Sequence, residues 1–160
     1  MLGLTTLGMI HTVIALVAWV CGFAALARDK EISSTNLLGR FYLVTTLVAA
    51  VTAFGLSKYG GFGPPRVLAV LTLVALAIGT LATISGMFSG ASHSVRAVSY
   101  SATLLFHTIA GISESLTRLP PGAPLVSSLE APVLKVVDLA LLIVFAIVAR
   151  RQVRRLRGDR

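Results

Sequence analysis

The sequence predicts an all-α protein, a polytopic integral membrane helical bundle with about five transmembrane helices. Of its 160 residues, 56% are hydrophobic and only 12% are charged, and the mean hydropathy is +0.89. A soluble domain of this size carries about a quarter charged residues. The chain therefore has too few polar side chains to cover a surface in water. We expect a single transmembrane domain over residues 1–149 and a basic tail over 150–160.

Five apolar stretches are long enough to cross a bilayer, which takes about 20 residues of helix. The predicted spans are residues 2–27, 38–57, 67–88, 97–117 and 133–149. Between the last two, Pro120, Pro121 and Pro124 interrupt any helix, which predicts an interfacial loop over 118–132 with Pro132 in the first turn of the fifth span. No basic segment precedes the first apolar run, so that run is expected to be a retained span, not a cleaved signal.

The positions of Lys and Arg predict the orientation. If the N-terminus lies outside, the inner segments hold ten basic residues: Arg28, Lys30, Arg40, Arg96, Arg150, Arg151, Arg154, Arg155, Arg157 and Arg160. The outer segments hold four: Lys58, Arg66, Arg118 and Lys135. This asymmetry fits the positive-inside rule and predicts that the N-terminus lies outside and the C-terminus lies in the cytoplasm. Anionic lipid headgroups, not nucleic acid, are the expected partner of the tail.

Small residues recur at four-residue spacing on two spans. The rows are Thr45, Ala49, Ala53 and Ser57 on the second span, and Ala75, Gly79 and Thr83 with Ala82, Gly86 and Gly90 on the third. Small side chains let helices approach closely in lipid, where no hydrophobic force drives association. The rows predict a tight bundle and offer faces for homo- or hetero-oligomers.

Ionisable residues inside a membrane are costly and are candidates for function. The predicted spans contain five such residues, His11, His107, Glu114, Lys135 and Asp138, all in the outer half. Tyr100, His107 and Glu114 recur every seven residues and so share one helical face. These six residues form the predicted outward-facing polar site. In the alternative interpretation, Glu114 pairs with Arg118, Lys135 pairs with Asp138, and both pairs lie at the interface.

The residues support little other chemistry. His11 and His107 are weak candidates for axial ligands of a b-type haem. A quinone pocket or a proton relay that uses His107, Glu114 and Tyr100 is a further option. Cys21 is the only cysteine, which excludes an internal disulfide and a cysteine-based zinc site. The segment from Gly60 to Pro65 lacks the Lys-Ser/Thr of a phosphate loop and predicts a turn. No catalytic residues and no metal ligands are assigned.

Three short segments of the chain are together similar to a known protein family. Leu38 to Tyr42, Gly60 to Pro64, and Ser99-Tyr100 followed by Glu114 and Thr117 to Pro120 occur in this order along the chain. Together they resemble a family of bacterial multi-pass predicted membrane proteins of unknown function. The resemblance covers roughly residues 11–120 and implies a bacterial cytoplasmic membrane and a helical bundle.

Three functions stay open at this level. The first is a small membrane protein whose outward-facing site serves binding, small-solute movement or redox support. The second is a membrane redox subunit that holds haem or quinone. The third is a structural accessory of a larger complex.

Overall fold

The computed structural model describes residues 5–56 and 63–158. This part of the chain is all-α, as predicted, and has five long helices. They are α1 (Thr6–Asp29), α2 (Leu37–Ala53), α3 (Pro64–Ile84), α4 (Ser92–Arg118) and α5 (Pro132–Gly158). Short 3-10 turns follow α2 at Phe54–Leu56 and α3 at Gly86–Ala91. Residues 119–131 are not helical, as the prolines of this segment predict.

Consecutive helices run in opposite directions, and α4 occupies the centre. It packs against α1, α3 and α5, while α2 packs against α1 and α3. One end of the bundle, here called the basic end, gathers the C-termini of α1, α3 and α5 with the N-termini of α2 and α4. The other end, here called the distal end, holds the start of α1 and the 119–131 loop.

Within the described residues, four helical segments are long and apolar enough to cross a membrane: α1, α2 together with the 3-10 turn that follows it, α3 and α5. The fifth, α4, has 27 residues, or about 40 Å at 1.5 Å per residue, but many of them are polar. Its buried residues include Ser94, Ser101, Thr103 and Thr108. Because three helices shield α4, it does not need the continuous apolar surface that a lipid-facing helix requires.

Local sequence signals set the helix starts. The side chain of Thr5 caps α1 by accepting a hydrogen bond from the Gly8 amide at 3.1 Å, and that of Asn36 caps α2 through the Gly39 amide at 2.7 Å. Pro64 and Pro132 stand at the first positions of α3 and α5, where a missing N–H costs nothing.

Several helix boundaries differ from the sequence-based expectation, and three of them matter most. The third span ends at Ile84 and not at residue 88, because Ser85 takes an extended backbone conformation. The fourth helix begins at Ser92, which places His93 on a helix and not in a loop. The tail is helical as far as Gly158, since arginine favours helix and no Gly or Pro interrupts the segment. Ser57, Lys58, the Gly60 to Phe62 part of the turn and Arg160 lie outside the described residues.

Two tyrosines fill the centre of the bundle. Tyr42 and Tyr100 are almost wholly buried, and each lies against a glycine. A Cβ placed on Gly22 would come within 2.7 Å of the Tyr42 ring, and one on Gly79 would overlap the Tyr100 ring. Of the small-residue rows, Ala49, Ala75, Gly79 and Ala82 are buried. These members serve packing within the bundle.

Candidate functional site

His11 on α1 hydrogen-bonds to α2 in the distal half of the bundle. Its Nδ1 lies 2.9 Å from the Thr52 Oγ1. The hydroxyl hydrogen of Thr52 is directed to its own helix, toward the carbonyls of Val48 at 2.8 Å and Ala49 at 3.1 Å. With its one hydrogen donated to either of these carbonyls, the Thr52 hydroxyl accepts from the imidazole, which places the ring hydrogen on Nδ1. In a neutral ring this leaves Nε2 as an acceptor without a hydrogen.

His107 on α4 has the same proton arrangement. Its Nδ1 lies 3.2 Å from the Thr103 carbonyl oxygen, which can only accept. Neutral His107 thus also presents Nε2 as an acceptor. One residue further on, the Thr108 hydroxyl accepts a hydrogen bond from the Trp19 indole at 3.1 Å, which holds α1 beside this part of α4.

Glu114 supplies a carboxylate near the two imidazoles. It forms an ion pair with Arg118, one turn further along α4. His11 interacts electrostatically with both Glu114 and His107. All three residues thus lie in the distal half of the bundle, His11 on α1 and His107 and Glu114 on α4, and we call this region the histidine neighbourhood; no hydrogen bond or ion pair joins the three within the described residues.

Tyr100 does not reach this neighbourhood. Its ring packs against Gly79 of α3, and its hydroxyl lies 3.5 Å from Thr80 Oγ1. Fourteen residues separate Tyr100 from Glu114, or about 21 Å of helix rise. The seven-residue spacing places both on similar faces, but at depths too different for one site.

Lys135 and Asp138, on α5, are not paired with the histidine neighbourhood in the described part of the chain. Within the described residues, no ion pair joins them to each other or to His11, His107 or Glu114. Lys135 is exposed on the first turn of α5. Asp138 Oδ1 is buried and lacks a hydrogen-bond partner in the part of the chain that is described. Of the two pairs in the alternative interpretation, only Glu114–Arg118 forms.

A haem between His11 and His107 does not fit this arrangement. The Trp19–Thr108 bond and the contact of Gly22 with Leu104 hold α1 directly against α4. A macrocycle held by both imidazoles would require these helices to separate. Among the described residues there is also no group of three or more His, Cys, Asp or Glu side chains suited to a metal ion.

A second polar cluster, which the sequence did not predict, lies at the basic end. Glu31 forms a 3.1 Å ion pair with His93, which is charged only when the ring is protonated, and its other oxygen lies 3.8 Å from Arg96. Nearby, the Gln152 amide donates to the Lys30 carbonyl at 3.0 Å and exchanges hydrogen bonds with Ser101. These contacts join α1, α4 and α5.

Sequence reasoning missed this cluster because its members come from distant segments. Glu31 and His93 are 62 positions apart, and each resembles an ordinary polar residue near a helix end. The one available signal was Gln152, an uncharged residue within the run of tail arginines. Thr52, the partner of His11, was likewise indistinguishable from other threonines in apolar helices.

Comparison with protein-family models, with curated proteins and with solved structures gives no match for this chain. The choice among functions therefore depends on the geometry of the residues themselves.

Proposed function

We propose that this chain is a multi-pass protein of the bacterial cytoplasmic membrane that binds a small polar ligand at an outward-facing site. The site is formed by His11, His107 and Glu114. The resemblance to bacterial membrane proteins of unknown function supports the location. The N-terminus lies outside and the basic end lies in the cytoplasm, which the positive-inside rule supports.

The observation that carries this proposal is the position of the two Nδ1 atoms, each of which lies at hydrogen-bond distance from an oxygen of Thr52 or Thr103. Each ring donates through Nδ1 to a fixed partner and offers Nε2 as an acceptor. Two neutral acceptors beside a carboxylate favour a ligand with hydrogen-bond donors, such as a hydroxyl or amino compound. The Arg118 partner balances the charge of Glu114, so the ligand need not carry a compensating positive charge.

Binding is a better account of the structure than passage of a solute through the bundle. A continuous path would have to cross the level of Tyr42 and Tyr100. Both rings are almost wholly buried and lie against Gly22 and Gly79. The packed centre therefore leaves no continuous path from the site to the basic end.

A quinol is the second candidate ligand. Its two hydroxyl groups are hydrogen-bond donors that match two Nε2 acceptors, and it reaches the site from the lipid phase. In this version the histidines and Glu114 bind the quinol headgroup, and the protein supports a redox reaction in the membrane. It requires no separation of α1 from α4 comparable to that needed for haem.

Native mass spectrometry of the protein released from nanodiscs tests the proposal. We expect a non-covalent small-molecule adduct in the wild type that is lost in His11→Ala and in His107→Ala. His93→Ala is the matched control, because it removes a histidine from the same helix at the opposite end of the bundle. Titration with decylubiquinol then tests the quinol version.

Equal adducts in all four proteins would contradict the proposal, as would the absence of any adduct from the wild type. Thermal unfolding of each variant separates loss of binding from loss of fold. An adduct that decylubiquinol does not displace rejects the quinol version alone.

A further inference from the structure

A crevice of about 590 Å³ lies between α1 and α5 at the basic end. Three residues of α1, the Lys30 that caps it and four residues of α5 line it: Phe23, Leu26, Ala27, Lys30, Val148, Arg151, Gln152 and Arg155. The α5 residues follow the spacing i, i+3, i+4, i+7, so they form one continuous stripe, and Phe23, Leu26 and Ala27 share one face of α1. The volume falls within the range of about 300–1,000 Å³ that is typical of small-molecule sites.

On both helices the residues that line the crevice change from apolar to cationic toward the basic end. Both helices run toward the basic end, so Phe23 and Val148 lie deepest, whereas Lys30 and Arg155 lie at the mouth. The deep walls are apolar, and the mouth carries three cationic side chains, Lys30, Arg151 and Arg155. A crevice that is apolar inside and cationic at its mouth is suited to an amphiphile with an anionic head group.

The acidic residues near the mouth are already paired. Asp29 forms a 2.8 Å ion pair with Arg28, and Glu31 pairs with His93 and Arg96. Arg155 donates through Nη1 to the Asp29 carbonyl at 3.2 Å, and Lys30 donates to the Ala27 carbonyl at 2.8 Å. Both cations are thereby positioned at the mouth and keep further N–H donors for an anion.

We propose that this crevice binds one anionic phospholipid. Its phosphate group interacts with Lys30, Arg151 and Arg155, and one acyl chain lies against Phe23, Leu26 and Val148. Basic pockets between membrane helices are suited to such headgroups. The site lies at the opposite end from the histidines and does not depend on the function proposed for them.

The test uses native mass spectrometry of protein from nanodiscs that contain equal amounts of dioleoylphosphatidylglycerol and dioleoylphosphatidylcholine. We expect one retained phosphatidylglycerol per wild-type chain, and at least tenfold less in the double variant Arg151→Gln/Arg155→Gln. The matched control is Arg154→Gln/Arg157→Gln, which removes the same charge from the same helix at positions that do not line the crevice. It should retain the lipid within about twofold of the wild type.

A second variant tests the apolar part of the crevice. Ala27 is exposed on its wall, so Ala27→Phe fills the slot without disturbing the core and should also reduce lipid retention. Inorganic phosphate at millimolar concentration should not displace the lipid, because it lacks the acyl chain. Equal losses in the two arginine double variants would overturn the proposal, since they would show diffuse attraction to the tail. Equal retention of phosphatidylcholine, or displacement by phosphate, would also overturn it.

Discussion

The phenol of Tyr42 on α2 donates a 2.6 Å hydrogen bond to the hydroxyl of Thr103 on α4. The direction follows from Thr103, whose single hydroxyl hydrogen is given to the Tyr100 carbonyl at 2.7 Å. Both side chains are fully buried. This bond therefore links α2 to the central helix, although α1 and α3 provide the larger contacts of α2.

Loss of this bond should measurably destabilise the bundle. We expect Tyr42→Phe to lower the free energy of unfolding by about 1 kcal/mol, because interhelical hydrogen bonds in membrane proteins contribute about 0.6–1.7 kcal/mol. A double-mutant cycle with Thr103→Val, measured by SDS-induced unfolding in bicelles, gives the interaction free energy between the two side chains. Thr45→Val is the control, since its hydroxyl bonds only to carbonyls of its own helix. A coupling energy near zero would contradict the assigned bond.

The close approach of α3 to α4 should depend on Gly79. Gly79→Ala would force its methyl group into the Tyr100 ring, and overpacking of this kind costs about 1–3 kcal/mol. Gly111→Ala on α4 is the matched control, because a Cβ there meets nothing within 4 Å. Helix propensity should make that control neutral or slightly stabilising. The same unfolding assay compares the two, and an equal effect at both positions would reject the packing argument.

The sequence predicted those features that depend on local composition. Charge-free stretches indicated the helices, the prolines after Arg118 indicated the loop, and Pro132 indicated the start of α5. It could not show that α4 is central, because a shielded helix can carry Ser101 and Thr103 without losing stability. Nor could it show which histidine faces which partner. The spacing of Tyr100, His107 and Glu114 predicted a common face of α4. The contact of Tyr100 with Gly79 on α3, and the hydrogen bond of His11 to Thr52 on α2, depend on other helices that this spacing does not describe.

Removal of the Glu31 carboxylate should destabilise the basic end. Arg96 keeps only 16% of its side chain exposed, and its Nε is buried without a hydrogen-bond partner among the described residues. Glu31→Gln leaves this cation without a countercharge, at a cost of about 1–3 kcal/mol. Glu130→Gln provides the control, because that side chain is exposed in the loop. Thermal unfolding in nanodiscs that gives the same midpoint for both variants would show that the ion pairs contribute little.

The proposed orientation can be tested with single cysteines. After Cys21→Ala, a cysteine at Glu130 should react with a membrane-impermeant maleimide added to intact spheroplasts. A cysteine at Arg154 should react only after the membrane is permeabilised, because the basic end is expected in the cytoplasm. Labelling of both positions under the same condition would disprove the bundle order, since they lie at opposite ends of α5 and its preceding loop. A reversed pattern would instead place the histidine site on the cytoplasmic side.

The two histidines of the proposed site should share an unusual proton position. Neutral imidazole in water prefers a hydrogen on Nε2, but here the Thr52 hydroxyl and the Thr103 carbonyl each accept from Nδ1. Nitrogen-15 solid-state NMR of protein labelled at histidine should show protonated Nδ1 and unprotonated Nε2 for His11 and His107 at neutral pH. Thr52→Val should release His11 toward the ordinary tautomer and leave His107 unchanged, because the His107 acceptor is a backbone carbonyl of α4. If both rings carry their hydrogen on Nε2 in the wild type, the two acceptors do not exist and a donor ligand has no place to bind.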